Sequence, residues 1–385
     1  MKRKIFPFLL VVLALALSGG PARAAVEGAQ EATVAPCDHE RKYVVAEAKV
    51  AGDGPFRAKD KETGAVLPAQ GDGETVRWLI PSIAAGAKKA YVIEKGAAEN
   101  AAALKVEDVN GSVSIKGPDR EITRFHPVAG TANKKPCFYP LTAHGTNILR
   151  GYPLEDRAGE AKDHPHHTGV YFAFGEVNGK EYWSKTAIEN KSVKKEAGPV
   201  YARIRSENHW GQDLVEIQDV LVLNAGPDAL LDFTITLTAA NGPVVFGKDL
   251  KMAKEGAFSV RVATGLTDNA KKDPGMNLMV DSKGNKGEAA IRADNAPWVD
   301  YVGTVDGKKV GVSVMNHPSS FRYPTDWHVR AYGLFAANPW IRKGENTLEK
   351  GQSLTLRYRV YVHAGDTAEG KVAAVNAGFA NAKVE

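Results

Sequence analysis

Apolar and polar positions alternate with a period of two along most of this chain. ALLDFTITLTA sets Leu231, Phe233, Ile235 and Leu237 against Asp232, Thr234, Thr236 and Thr238. LTLRYRVYV places Leu354, Leu356, Tyr358, Val360 and Val362 on one side. Successive strand side chains point to opposite faces, so such runs predict strands with one buried and one wetter face. GSVSIKG, REITRFHPV, GVYFAFG, VYARIRSENHW, LVEIQDVLVL, AFSVRVATG, WVDYVGTV and KKVGVSVMNH read the same way. Between them lie Gly, Asp, Asn and Pro turns. The best helical segment is TAEGKVAAVNAGFA, Thr367 to Ala380, expected as a terminal helix docked on a sheet. No βαβ alternation and no internal repeat is present. The expectation is an all-β protein: a large antiparallel β-sandwich preceded by a small β-sandwich-like domain, with few helices.

The N-terminus departs from this pattern. Lys2, Arg3 and Lys4 precede the apolar run Phe8 to Leu17, and Ala22-Arg23-Ala24 forms a small-x-small cleavage site. Residues 1–24 read as a secretory signal peptide, and the run is short for a membrane span. The predicted organisation is a signal peptide over 1–24, a flexible leader over 25–41, a small β domain over 42–108 and the main sandwich over 109–385. The compartment expected is the periplasm or the exterior, with no membrane span after cleavage. The chain carries 50 basic and 45 acidic residues; four of the basic ones lie in 1–24, so cleavage takes the formal net charge from +5 to +1. A nucleic-acid partner loses its electrostatic support. Of the two cysteines, Cys37 and Cys137, spacing alone favours neither pairing nor two separate thiols.

Chemistry concentrates in two segments. The first is DHPHHTGVYFAFGEVNGKEYW, Asp163 to Trp183. Pro165 keeps the histidines out of a central strand and places them at its mouth. In extended chain His164 and His166 would share a side, with His167 opposite. Imidazoles there suit proton transfer near neutral pH, hydroxyl contacts or metal ligation. A cupin-type metal site needs a glutamate about four residues beyond its His-x-His, whereas Glu176 lies ten beyond His166. Histidines at a strand edge often only cap backbone groups, but three within four residues beside Asp163 favour a functional site.

The second segment is HPSSFRYPTDWHVRAYGLFAANPW, His317 to Trp340. Trp327 and Tyr332 offer flat faces for sugar rings. Arg330 and Asn338 suit polar substrate groups, and His328 is a second acid/base. Tyr139, His144, Asn147 and Arg150 are weaker candidates for the same cavity. Glu255 and Arg261 bracket a strand. No G-x-S-x-G, phosphate-binding glycine loop or H-E-x-x-H is present.

The His-Pro-His-His box with its Val-Asn-Gly continuation, the Lys-Glu-Gly turn and the Trp-His-x-Arg-x-Tyr-Gly…Ala-Asn-Pro box resemble a bacterial exported family labelled "methane oxygenase PmoA-like", also carried as a domain of unknown function. The match spans about Lys135 to His363. The resemblance implies an all-β sandwich and a setting among sugar-processing proteins of polysaccharide-degrading bacteria; no catalytic residues come with it.

The leading expectation is therefore an exported carbohydrate-active enzyme of glycoside hydrolase, lyase or epimerase-like type, acting on a small sugar or an oligosaccharide. His164, His166, His167 and His328 would carry proton transfer, with Asp163 or Glu176 orienting a histidine. Trp183, Trp327, Arg330, Tyr332, Asn338, His144 and Asn147 would bind substrate. The residues name no cofactor. Two alternatives stay open: a metal enzyme using His164, His166 and His328, and a non-catalytic glycan-binding module. Whether segments 163–183 and 326–340 share one cavity separates the enzyme from the module.

Overall fold

The computed structural model describes residues 30–384 apart from 51, 53, 100, 128–133, 250, 252–253 and 268–278. The expected signal peptide lies outside these residues. The fold is all-β, and every strand pair is antiparallel.

Strands between Gln30 and Lys95 form a six-stranded sheet with its own core, centred on Trp78, Tyr91 and Phe56. This differs from the expected leader over 25–41. Gln30–Val34 is an edge strand paired with Lys89–Lys95, because Ala32 and Val34 alternate into that core. The strand Lys105–Val109 pairs with Ser112–Lys116 in another sheet, so the six-stranded unit ends before it.

The larger body is a sandwich. Its nine-stranded sheet runs Asp326–Arg330, Leu334–Asn338, Gly256–Arg261, Val170–Phe174, Cys137–Ala143, Glu121–His126, Ser112–Lys116 and Lys105–Val109, with Thr146–Asn147 pairing off Cys137–Ala143. The eight-stranded sheet is built around Ala229–Ala239 and Ser353–Ala364, the two alternating segments read first from sequence. Phe258 packs against Phe233 at 4.8 Å and Tyr358 at 4.5 Å between ring centroids, and Tyr301 meets Phe335 at 4.4 Å, so these faces share one core. Cys37 and Cys137 are not joined by a disulfide.

The expected terminal helix spans Val372–Ala380 and packs on the strand Arg41–Ala48 of the six-stranded sheet. The approach is close enough that a Cβ on Gly378 would lie 2.0 Å from the Lys42 carbonyl oxygen. The turn before the helix is tied down by Asp300, which accepts hydrogen bonds from Ser313 Oγ at 2.7 Å, Thr367 Oγ1 at 2.6 Å and His363 Nε2 at 3.1 Å. His363 Nδ1 donates to the Ala364 carbonyl at 3.1 Å, so when the ring is protonated both nitrogens donate, Nε2 to the Asp300 carboxylate. Burial alone would lower its pKa, but the Asp300 carboxylate outweighs this and raises it. A raised folded pKa stabilises the protein fully below the unfolded value of about 6.5, and this stability is lost as pH rises through the folded pKa. The urea midpoint should therefore fall as pH rises above about 6.5, and His363→Gln should flatten the fall. An unchanged pH slope in the variant would refute the role.

Candidate functional site

The site is laid across the outer face of the nine-stranded sheet. Tyr171 faces Ser259, Ser259 faces Ala336, and Ala336 faces His328, so these four side chains form one cross-strand row. Val170, Val260, Phe335 and Val329 point the opposite way into the core. Arg261 and Arg330 lie two residues along and share the row's face. An outward row would ordinarily be wet. Here Tyr171, Ser259, Arg261 and His328 are all buried, because loops fold over them. Trp183 closes the roof above Gly256, where an added Cβ would come within 2.7 Å of the indole and 2.3 Å of the Ala173 carbonyl.

Arg150 holds the histidine loop in place. Its guanidinium donates to the Asp163 carbonyl and carboxylate, both at 2.6 Å, and to the carbonyls of His164 at 2.9 Å and His167 at 2.8 Å. Arg261 adds a bond to Asp163 Oδ1 at 2.8 Å. The expected extended geometry of the histidines does not hold. The His167 N–H donates to the His164 carbonyl at 3.0 Å, which closes a turn around Pro165, and His164 takes φ 42°. A non-glycine residue in that region is strained unless its surroundings fix it. The turn gathers the rings. His164 stacks on His167 at 4.8 Å, and His166 meets His167 edge-on at 4.3 Å.

The second segment arrives at the same place. Tyr332 stacks on His164 at 5.0 Å and 7°, with the Arg261 guanidinium 4.7 Å from its ring centroid. A cleft of about 410 Å³ runs along Arg150, Asp163, Arg261, Val262, Thr264 and Tyr332. One residue of the first constellation, Asp163, and one of the second, Tyr332, thus line the same cleft.

Its charges are ordered. Asp163 Oδ2 lies 2.5 Å from His164 Nδ1. Partial burial would raise the Asp163 pKa, but the His164 bond and the Arg261 and Arg150 charges outweigh it and hold the carboxylate ionised. Burial, helped by the Lys135 charge, lowers His166 to about 4, and burial drives His167 far below the usual imidazole range. Both are neutral at pH 7. Lys135 is buried under Tyr171 and Trp183, with its Nζ 4.5 and 5.1 Å from their ring centroids, and donates to the Trp183 carbonyl. Burial lowers its pKa to about 7.

Residues 112–377, which carry both constellations, match the model of a family described as a family of unknown function, DUF6807. The chain belongs to this family. The description agrees with the resemblance to a domain of unknown function and does not extend to the PmoA-like label. No curated protein matches the DUF6807 chain. Similar solved structures include a glycosyl hydrolase family 38 protein from Enterococcus faecalis, 12% identical, at a TM-score of 0.42 over 93% of this chain and 47% of that one. A heparan sulfate lyase mutant from Pedobacter heparinus is 11% identical, at 0.40 over 71% and 38%. A GH36 α-galactosidase from Geobacillus stearothermophilus is 11% identical, at 0.40 over 69% and 41%. The chain spans under half the length of each of these structures.

Several expected site residues of the DUF6807 chain have other partners. Glu176 does not orient a histidine: its carboxylate accepts backbone N–H groups of Gly179 at 2.6 Å and Lys248 at 2.7 Å. Trp327 points into the core, and its N–H donates to the Ala296 carbonyl at 2.9 Å. Asn338 is buried and accepts from the Trp340 N–H, and Arg330 donates to Glu288 Oε1 at 3.1 Å. His144 pairs with Asp228 at 2.8 Å, and Asn147 accepts from the N–H groups of Leu141 and Leu149. Trp183 stays at the site as its roof, 5.1 Å from His167. His328 lies three strands from Tyr171, about 14 Å by strand spacing, so it does not join His164 and His166 as a ligand set. Among the described residues, no three His, Cys, Asp or Glu side chains are arranged to hold a metal ion.

Sequence reasoning gave too little weight to Arg150, and it missed Lys135 and Tyr171. Arg150 appeared only as a neighbour of the histidine box. Tyr171 was hidden in a uniformly apolar strand, VYFAF, whose two faces look alike in sequence.

Proposed function

We propose that this protein is an exported carbohydrate-active enzyme of lyase or epimerase-like type, with the Asp163–His164 pair as its proton-transfer centre. The carrying observation is that His164, bonded to Asp163, stacks on Tyr332 at the edge of a cleft that Asp163 and Tyr332 line. Asp163, ionised between two arginines, accepts from His164 Nδ1 and fixes the tautomer whose Nε2 carries the lone pair. That nitrogen is suited to remove a proton from a sugar hydroxyl or an acidic C–H. The Tyr332 phenol beside it is the candidate for returning one. Arg261 has Nε and Nη1 without a protein partner and can stabilise an oxyanion or carboxylate that develops there.

A lyase or epimerase-like reaction is favoured over hydrolysis by paired carboxylates because Asp163, held in its ionised form, is a poor proton donor. The signal-peptide pattern of residues 1–24 and the resemblance to exported PmoA-like proteins support the compartment and the sugar setting.

The test is to incubate the purified protein with neutral and uronate-containing oligosaccharides and follow products by mass spectrometry, with His164→Ala alongside. Product from the wild type and none from the variant is expected. Equal product from both would sink the assignment. Saturable binding with no product from either would favour the glycan-binding module.

A further inference from the structure

His328 is an anomaly on the site's own face. Its ring is 2% exposed, and neither nitrogen has a hydrogen-bond partner. A buried polar group ordinarily finds a partner, and one left without it is costly unless a ligand supplies it. Nearest is Glu255, whose Oε2 lies 3.8 Å from His328 Nε2, too far for a direct hydrogen bond.

Glu255 reaches that position through an irregular backbone. Gly256 takes φ 96° and Ala257 φ 76°, at the start of the strand Gly256–Arg261. Ala257 has a Cβ and is strained there, which marks a geometry the fold holds deliberately. The Glu255 carboxylate has no hydrogen bond of its own among the described residues and is about a quarter exposed. The two groups are not an ion pair. Burial, with Arg330, Arg292 and Lys254 nearby, lowers His328 to about 3, so its ring is neutral at pH 7 and offers one donor and one acceptor.

We infer that Glu255 and His328 form a second saccharide subsite, in which one neutral sugar hydroxyl bridges Glu255 Oε2 and His328 Nε2. An oxygen about 2.8 Å from each atom bridges a 3.8 Å separation, and it enters from the Glu255 side, which is about a quarter exposed, by displacing the side chains that close over His328 Nε2. The hydroxyl donates to the carboxylate and accepts from the imidazole N–H. Tyr332, in the turn that follows the strand Asp326–Arg330 carrying His328, connects the two stations by stacking on His164. The anionic Glu255 end favours an uncharged ring, and the Arg261 end tolerates an acidic one. This rests on the proposed function and adds a substrate preference to it.

The test uses protein with isotope-labelled histidine, titrated with D-galactose and D-mannose and followed through the ring nitrogens of His164 and His328 by NMR. At least one sugar should shift His328 saturably. Glu255→Ala should weaken that binding about tenfold or more, the usual effect of losing a hydrogen bond to a charged group. His328→Phe should fold with an unchanged or higher melting temperature, which a structural histidine would not allow, and should lose affinity similarly. A shift at His164 with none at His328, or wild-type affinity in Glu255→Ala, overturns the subsite and leaves the proton-transfer centre standing. A shift at His328 alone supports the subsite and removes the centre. No shift at either ring removes both.

Discussion

His164→Ala is expected to lower turnover by about 10²- to 10⁴-fold, the usual contribution of a positioned acid/base group, and to leave the fold intact. The side chain is 42% exposed and makes one hydrogen bond, to Asp163. Its removal exposes one face of Tyr332 and one of His167 and opens no core cavity. Asp163→Asn should reach a similar loss by another route. The amide would no longer impose the tautomer with a lone pair on Nε2, although the ring would stay near its place. Near-normal kcat in both variants, with unchanged unfolding curves, would remove His164 from the chemistry. His166 gives a contrast: neutral above about pH 4, it supplies hydrogen-bonding capacity across the working pH range and should affect KM more than kcat.

Arg150→Ala is expected to be the most destabilising substitution at the site, by roughly 3 kcal/mol, the lower end of the cost of breaking a buried charged pair. The lower end applies because the Asp163 side chain is 37% exposed and recovers some solvation. Three carbonyls, those of Asp163, His164 and His167, lose the Arg150 donor together, and the Asp163 carboxylate keeps only Arg261 and His164. Arg150→Lys should rescue little, because an ammonium is a point donor and cannot fork across that spread. Urea denaturation reads the loss, and the stacking of His164 on Tyr332 should go with it. A midpoint within experimental error of the wild type would show that the turn around Pro165 holds itself.

Strand periodicity was legible in sequence because period two is written by side chains on a half-buried sheet, as along Ala229–Ala239. It failed where both faces are buried. In Asp326–Arg330 the pattern Trp327, His328, Val329, Arg330 gives the alternation but not which parity faces the core, and Trp327 was assigned to the wrong side. The site's location could be read from the density of imidazole and aromatic groups. Its internal wiring could not. Glu176 and Glu255 are both glutamates near strand ends, and only the positive-φ pair Gly256–Ala257 turns one of them over the sheet while backbone amides occupy the other. The edge strand Gln30–Val34 escaped notice because five residues with two small apolar positions resemble a polar linker.

The helix Val372–Ala380 and the tail after it complete the six-stranded sheet at the chain's other end. Arg41 Nη1 donates to the Asn381 carbonyl, 340 residues away, and Val34 bridges to Val384. During synthesis the early strands would therefore emerge long before their covering helix exists. Contacts of such high sequence separation are slow to form, and unpaired edges waiting for them invite misassociation. Biogenesis of this molecule should depend on a holding factor or on delayed collapse of its first hundred residues, and nonsense truncations in the last turn of chain should yield protease-sensitive material out of proportion to the few residues lost.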